Sequence, residues 1–220
     1  MTKRDWTQPN SCATLPPMSK GFLKNTYGLD SVEKTMEHYS QWSASYDAEV
    51  SENGYALPGR IANAVAGVTE DKGAPVLDFG CGTGLSGTAL KLIGFEVIDG
   101  MDVSADMLAQ ARLKNAYRTL THADATQPPP FHIGEYGLVT ACGVIGSGAA
   151  PIKVLDDLTT KLASGNRLAF SFNDNTLADP AYPARVQHYR QNGFALIFEE
   201  YGEHLPGIDL KSTVYIIEKT

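Results

Sequence analysis

Apolar positions in the first third of the chain recur at intervals of three and four residues from position 31 onward, which predicts an amphipathic helix. The residues on its apolar face are Val32, Met36, Tyr39, Trp42 or Ser43, and Tyr46. Ser31 precedes this face and is a suitable N-cap. A second helix is predicted over Leu57 to Val68, with Pro58 at its start.

Beyond Gly73 the pattern changes to short apolar runs that alternate with helical periods. The predicted strands cover 75–79, 95–102, 117–122, 136–142, 167–172, 194–202 and 212–219, and the predicted helices cover 85–93, 104–115, 151–162 and 181–191. Such alternation implies a parallel sheet with helices on both faces. We therefore predict an α/β, doubly wound, Rossmann-like fold with a mostly parallel seven-stranded sheet and an antiparallel terminal hairpin strand.

The same pattern divides the chain into three parts that together form a single domain. Residues 1–30 are rich in Pro, Ser, Thr, Asn and Gly, which predicts a flexible N-terminal arm. Residues 31–72 are expected to form an N-terminal helical cap, and residues 73–220 the α/β core.

Charge and cysteine content narrow the range of partners. The net charge is −7, which offers no positive surface for nucleic acid or an anionic membrane. Cys12, Cys81 and Cys142 are odd in number and lack metal-ligand spacing, so we interpret them as reduced thiols. No apolar run approaches the roughly 18 residues of a membrane span, and the N-terminus lacks the apolar part of a signal peptide. We expect a cytoplasmic protein without nucleic-acid or membrane partners.

A run of glycines follows the first predicted strand of the core, in the order PVLDFGCGTGLSG. Residues 82–87 match the dinucleotide pattern GxGxxG, which is a weak signal by itself. Asp78 distinguishes between two possible kinds of ligand. A fixed carboxylate repels a pyrophosphate and favours a positively charged group. No Lys or Arg lies between Pro75 and Leu90 to offset that charge. The residues favour a nucleoside ligand with a cationic, phosphate-free tail.

PVLDFGCGTG resembles the first motif of the class I S-adenosylmethionine-dependent methyltransferases, an apolar run followed by D-x-G-x-G-x-G. GMDVSADML and HADATQPPPF resemble the second and third blocks of that family, in the same order. HYSQWSASYD is similar to the N-terminal Y-x-x-W-x-x-x-YD of its small-molecule and methyltransferase-like members, including the Williams-Beuren-region type. The resemblance implies an enzyme that uses S-adenosyl-L-methionine and releases S-adenosyl-L-homocysteine.

The resemblance also implies roles for individual residues. Asp102 would accept from the ribose hydroxyls, Val103 and Met107 would flank the adenine, and Asp124 and the Ala125 amide would contact the adenine edge. The motif positions Asp78, Gly80, Cys81, Gly82, Thr83 and Gly84 would form the loop at the methionine end. Structural alternatives remain for three of these residues: capping with Ser104 for Asp102, helix packing for Met107 and a turn for Asp124.

Two further groups would surround the methyl group in the family. Tyr39, Trp42 and Tyr46 share a helical face over the cofactor, although a packed aromatic stripe explains the same spacing. Cys142 and Gly143 follow the fourth strand and would lie beside the methyl group, unless they only terminate that strand.

The methyl acceptor is expected above the carboxyl edge of the sheet. Residues of the later loops that could contact it are Asn173, Asp174, Asn175, Tyr182, His188 and His204, of which His188, His204 and Asp174 are weak catalytic candidates. The sequence ACGVIGSG stands where amino-methylating enzymes carry N-P-P-Y, and no metal-ligand cluster is evident. We predict a small-molecule acceptor, or a protein side chain, that is methylated on O, N or S. A nicotinamide-dependent oxidoreductase and a noncatalytic cofactor-binding protein remain alternatives.

Overall fold

The computed structural model describes Phe22 and residues 32–220; the predicted arm 1–30 otherwise lies outside the described residues. The helices are α1 (Val32–Trp42), α2 (Tyr46–Glu52), α3 (Leu57–Val68), α4 (Leu85–Leu92), α5 (Ala105–Leu113), α6 (Ile152–Thr160), α7 (Asp174–Leu177) and α8 (Ala181–Gln191). The strands are β1 (Val76–Phe79), β2 (Ile98–Asp102), β3 (Thr119–His122), β4 (Leu138–Ala141), β5 (Arg167–Asn173), β6 (Phe194–Leu205) and β7 (Leu210–Lys219). A 3₁₀ turn, Pro206–Ile208, joins the last two strands.

The strands form one seven-stranded sheet in the order β3-β2-β1-β4-β5-β7-β6. β1 pairs in parallel with both β2 and β4, whereas β7 runs antiparallel to β5 and β6. The predicted fold class is therefore confirmed, including the antiparallel hairpin. β2 and β3 lie on one side of β1, and β4 and the later strands lie on the other side. In such sheets the ligand crevice lies at the carboxyl end of the strand where the order reverses, which here is β1.

Helices cover both faces of the sheet because successive side chains of each strand point to opposite faces. Val76 packs with Leu57, Ile61 and Leu90 of α3 and α4. The residues opposite, beginning with Leu77, pack with Leu155, Leu158, Val186 and Tyr189 of α6 and α8. The helices leave the carboxyl edge of the sheet uncovered, and the loops that follow the strands lie there.

The N-terminal cap is two helices and not the single amphipathic helix predicted through Tyr46. α1 ends at Trp42, where Ser43 Oγ donates 2.8 Å to the carbonyl of Ser40. Ser hydroxyls that bond nearby carbonyls compete with the helical backbone pattern, which explains the break. Trp42 and Val50 then pack against Leu205 and Leu210 of the hairpin, so the cap rests on the core. Ser31, the predicted N-cap, lies outside the described residues.

Tyr117 fills the space beneath the glycine-rich loop. A Cβ at Gly87 would lie 2.3 Å from Tyr117 Cζ, and one at Gly84 would lie 3.0 Å from Tyr117 Cε2. Gly100 of β2 faces the same ring, 2.9 Å from Tyr117 Cδ1. Gly87, the third glycine of the GxGxxG match, must therefore lack a side chain because Tyr117 packs against it, and no bound pyrophosphate is needed to explain it.

Replacing Gly87 with Ala should lower the free energy of unfolding by about 1–3 kcal/mol, because the new methyl group overlaps the half-buried ring of Tyr117. Gly67→Ala is the matched control, since Gly67 is also helical and no atom of the described residues lies within 4 Å of its added Cβ. That control should stabilise the protein by up to about 1 kcal/mol. Denaturant unfolding measures both changes, and equal effects would contradict the role given to Tyr117.

Candidate functional site

Asp78 lies in β1, just before the glycine-rich loop, and is fully buried. Its Oδ2 accepts from Ser86 Oγ at 2.6 Å and from Tyr117 Oη at 2.8 Å, and its Oδ1 accepts from Thr140 Oγ1 at 3.0 Å. Burial raises the pKa of the carboxyl, although the three hydroxyl donors oppose this shift. The Gly87 amide donates to the same Tyr117 oxygen at 3.2 Å. The first turn of α4 is thus hydrogen-bonded to Asp78, directly through Ser86 and indirectly through Tyr117.

A cavity of about 360 Å³ opens at the carboxyl end of β1 and β2. The predicted residues that line it are Tyr39, Tyr46, Gly80, Gly82, Asp102, Val103, Met107, Asp124, Ala125, Cys142 and Gly143. They come from the cap, the glycine loop and the ends of three strands, and the fold brings them together as expected from the topology. The size and location of the cavity fit a nucleoside-sized ligand.

Asp102 presents its carboxylate to this cavity from the end of β2. Its Oδ2 accepts from the Gly82 amide and its Oδ1 from the Ser104 amide, both at 2.8 Å. Burial raises the pKa of this carboxyl, whereas the amide hydrogen bonds oppose the shift. Each oxygen keeps a further lone pair for a ligand. Gly82 has φ 53°, and no atom of the described residues lies within 4 Å of the point where a Cβ would stand, so its backbone is open to the cavity.

The far end of the cavity combines an apolar wall with a second carboxylate. Met107 is buried in α5, whose N-cap Ser104 accepts from the Met107 amide at 3.2 Å. Asp124 is exposed, and its Oδ1 accepts from the amide and hydroxyl of Thr126, which lower the pKa of the carboxyl. Asp124 thus forms the turn that was the alternative interpretation while also lining the cavity.

Five of the predicted cofactor-binding residues do not line the larger cavity. Asp78, Cys81, Thr83 and Gly84 lie behind the cavity wall, and Trp42 lines a neighbouring cavity. The buried Asp78 reaches the cavity only through the loop that it holds. Cys81 and Gly84 pack toward Gly100 and Ala111, respectively, because the loop turns their side-chain positions inward.

Sequence reasoning missed an ion-pair contact that connects the cap to the glycine loop. Thr83 Oγ1 donates to Asp47 Oδ1 at 2.5 Å, and Lys114 Nζ, next to α5, pairs with Asp47 Oδ2. Asp47 is the final residue of the matched Y-x-x-W-x-x-x-YD segment, which was the available signal. The cap is therefore joined to the loop by a charged side chain as well as by aromatic packing.

Other cavity-lining residues were also absent from the prediction. They are Thr35, Met36, Phe79, Met101, Ser104, Ala123, residues 126–129, Val144, residues 149–151, Lys153, Val154 and Asp157. Most have apolar or small side chains without a distinctive motif, so spacing alone provided no signal for them.

A second cavity of about 50 Å³ lies beside the first, and Tyr39, Tyr46, Gly143 and Ala149 line both. Its other lining residues are Trp42, Val50, Tyr55, Ile145, Gly146, Ser147, Ser171, Asn173, Thr176, His204 and Leu205. The two cavities are therefore adjacent, and Gly143, directly after β4, is one of the four residues that they share.

Only some of the predicted acceptor residues reach this second cavity. Asn173 and His204 line it, whereas Asp174, Asn175, Tyr182 and His188 line neither cavity. Asp174 accepts from Tyr201 Oη at 3.0 Å and from the Lys211 amide at 2.9 Å, so it supports the hairpin. His188 is exposed on α8. Of the three weak catalytic candidates, His204 therefore lines a cavity, whereas His188 and Asp174 do not.

The described part of the chain meets the requirements of neither a metal site nor a membrane-spanning helix. No group of three or more His, Cys, Asp or Glu side chains there is arranged to hold a metal ion. Nor is any helix among residues 32–220 long and apolar enough to span a lipid bilayer.

The sheet, the glycine loop and the crevice at the carboxyl edge define a Rossmann-like α/β protein. A family model described as a methyltransferase domain matches residues 52–212. Because that segment is more than half of the chain, the chain belongs to the methyltransferase domain family. The prediction of a class I S-adenosylmethionine-dependent methyltransferase, with S-adenosylmethionine as cofactor, is thereby confirmed at the level of the family.

Individual relatives agree with this family. The chain is 28% identical to human (Homo sapiens) methyltransferase-like protein 27 over 148 residues, which are 64% of this chain and 59% of that protein. It is 30% identical to ribosomal protein L11 methyltransferase of Burkholderia thailandensis over 104 residues, which are 47% of this chain and 33% of that protein. The chain thus spans about three fifths of the length of the first relative and a third of the second.

A solved structure shows the same fold. A methyltransferase from Geobacter sulfurreducens, in complex with S-adenosyl-L-homocysteine, has a TM-score of 0.56 at 15% identity, covering 73% of this chain and 91% of that one.

His204 should make folding stability depend on pH. Burial, and next the charge of Arg60, lowers the pKa of its imidazole to about 4, against a partial opposing effect of Asp174. Between pH 6.5 and 4 the unfolded chain therefore takes up a proton that the folded chain does not. The free energy of unfolding should fall by up to about 3 kcal/mol as the pH decreases through this window.

Denaturant unfolding between pH 7 and pH 4 measures this effect. His204→Asn should lose this part of the pH dependence, whereas His132→Asn, at an exposed histidine, should keep it. Identical pH profiles for wild type and His204→Asn would show that the buried ring does not titrate as described.

Proposed function

We propose that this protein transfers a methyl group from S-adenosylmethionine to an O, N or S atom of a small molecule. S-adenosylmethionine supplies a methyl group on a positively charged sulfur. The observation that carries the proposal is the pair of adjacent cavities, one of nucleoside size and one of about 50 Å³, which share Tyr39, Tyr46, Gly143 and Ala149 as lining residues. A donor and an acceptor held at such a junction can react by positioning alone, which supplies about 7–11 kcal/mol in favourable cases.

The residues of the larger cavity fit this cofactor. The free lone pairs of Asp102 suit two ribose hydroxyls, and Met107 and Val103 offer apolar faces to the adenine. Oδ2 of Asp124 has no hydrogen bond within the described residues and can accept from the adenine amino group. Tyr39, Tyr46, Cys142 and Gly143 would then surround the methionine end.

The buried carboxylate favours this cofactor over a dinucleotide. A pyrophosphate would bind at the start of α4, where amides favour anions. Asp78 already places its charge behind that position, and Tyr117 occupies the space that the third glycine leaves. Both contacts disfavour the nicotinamide-dependent alternative. The noncatalytic alternative is disfavoured by the presence of a second cavity beside the first.

The size of the second cavity supports a small acceptor. The L11 methyltransferase relative acts on a ribosomal protein by name. The second cavity's volume of about 50 Å³ suits a small group, and its walls include residues of the cap and of the hairpin. A cytoplasmic location stays a prediction.

Asp102→Asn should weaken binding of S-adenosylhomocysteine by about 1–3 kcal/mol, because the ribose hydroxyls lose a charged partner. Asp71→Asn is the matched control: Asp71 also accepts from the amide two residues later, at 2.9 Å, but lies outside both cavities. Isothermal titration calorimetry gives both affinities. An unchanged affinity for Asp102→Asn would contradict the ribose assignment.

The class of acceptor is tested with tritiated S-adenosylmethionine and a cell extract divided by size. Label should enter the fraction of small molecules in the presence of the wild-type protein, and much less with Asp102→Asn. Transfer of label predominantly to proteins would contradict the small-molecule proposal and favour a protein acceptor.

A further inference from the structure

The 50 Å³ cavity contains two buried polar groups that lack hydrogen bonds. Trp42 Nε1 and His204 Nδ1 have no partner within the described residues, although Trp42 is 1% exposed and His204 is 6% exposed. Unpaired polar groups of this kind each cost about 1–3 kcal/mol, so a partner is expected. Both residues line the same cavity, which makes its occupant a suitable partner for both.

Three other polar side chains that line this cavity already accept hydrogen bonds from backbone amides. Ser171 Oγ accepts from the Gly143 amide at 3.2 Å, and Thr176 Oγ1 accepts from the Ser147 amide at 3.1 Å. Asn173 Oδ1 accepts from the Thr176 amide at 2.9 Å. An occupant therefore has most to gain at Trp42 and His204.

The chemistry of these two groups selects the occupant. The indole N–H only donates, whereas a neutral imidazole can accept through one nitrogen. A hydroxyl group satisfies both, because its oxygen accepts while its proton is donated. A thiol forms only weak hydrogen bonds and would leave the two groups poorly paired.

Charged methyl acceptors fit the smaller cavity less well than a neutral hydroxyl group does. The residues of the described chain that line the cavity include no Asp, Glu, Lys or Arg. A carboxylate or an ammonium group would therefore lose its hydration without a paired charge, at a large cost. The guanidinium of Arg60, which acts on His204, further disfavours an ammonium group.

The volume limits the size of what enters. A bound water needs about 10–15 Å³ on the scale of cavity volumes, and an engineered cavity that binds benzene measures about 150 Å³. The 50 Å³ space therefore admits roughly three to five heavy atoms and excludes an aromatic ring. A short aliphatic group fits this space.

We propose that the smaller cavity binds the end of a short aliphatic alcohol, and that His204 Nδ1 accepts its hydroxyl proton during methyl transfer. This inference rests on the proposed function. The hydroxyl oxygen forms a bond to the methyl carbon, the methyl–sulfur bond breaks with its electron pair left on sulfur, and the O–H proton moves to Nδ1. The products are a methyl ether, a thioether and an imidazolium that later releases its proton to water.

A weakly basic imidazole suffices for this role. The hydroxyl proton becomes strongly acidic as the new carbon–oxygen bond forms, so its transfer to Nδ1 is favourable late in the reaction. Trp42 Nε1 would meanwhile hold the oxygen in place by donating to it.

The test uses the full chain with tritiated S-adenosylmethionine and four probes at equal concentration: 1-propanol, propionate, propylamine and 1-propanethiol. We expect 1-propanol to be the preferred acceptor. Preference for any other probe, or methylation of none by a protein that binds the cofactor, would overturn the proposal. A protein that does not bind S-adenosylhomocysteine in calorimetry would instead refute the proposed function itself.

Two variants test the roles of the individual groups. His204→Asn should lower the rate of propanol methylation about 100-fold without changing the affinity for S-adenosylhomocysteine. Trp42→Phe keeps the aromatic ring but removes the N–H, and should raise the half-saturating propanol concentration about fivefold with little change in maximal rate. His132→Asn should match wild type.

Unchanged propanol kinetics in either variant, at intact cofactor affinity, would contradict the role of that group. If His204→Asn does not fold, as judged by its thermal melting, Trp42→Phe and the four-probe comparison still decide the proposal.

Discussion

The buried carboxylate of Asp78 is the interaction on which the crevice depends. It receives three hydroxyl hydrogen bonds, from the start of α4, from β4 and from Tyr117. A buried acid without such donors would be costly, and each donor comes from a different part of the core. The carboxylate therefore fixes the glycine loop relative to the sheet. The backbone of Gly82 is open to the cavity because the rest of the loop is held from below.

Three aspartates at or near the larger cavity have different positions and different hydrogen-bond partners. Asp78 is fully enclosed and acts on the loop, whereas Asp102 faces the cavity while it accepts from the amides of Gly82 and Ser104. Asp124 lies at the exposed rim and orders its own turn. Each of the three carboxylates near this site is stabilised by its own set of donors, while the charge of Asp102 still contributes to the raised pKa of Asp78.

The sequence was sufficient to predict the fold, because the alternation of strands and helices and the glycine run are local signals. It also predicted the residues at the ends of β1, β2 and β4 that topology brings together. It was not sufficient to tell a residue that faces the cavity from one directly behind it, as Asp78 and Thr83 show. The break after Trp42 depends on serine hydroxyls that compete with the helix, and the contact of Asp47 with Thr83 joins positions far apart in sequence. Neither has a periodic pattern.

The walls shared by the two cavities have a thermodynamic consequence. Tyr39 and Tyr46 belong to the cap, and they line both spaces, while Asp47 of the same cap bonds to the glycine loop. Under the proposed function, a substrate that orders these tyrosines from one side would change the free energy with which the other substrate binds, and the two effects would be equal by linkage. The proposed donor and acceptor would thus be coupled through two tyrosines that line both spaces.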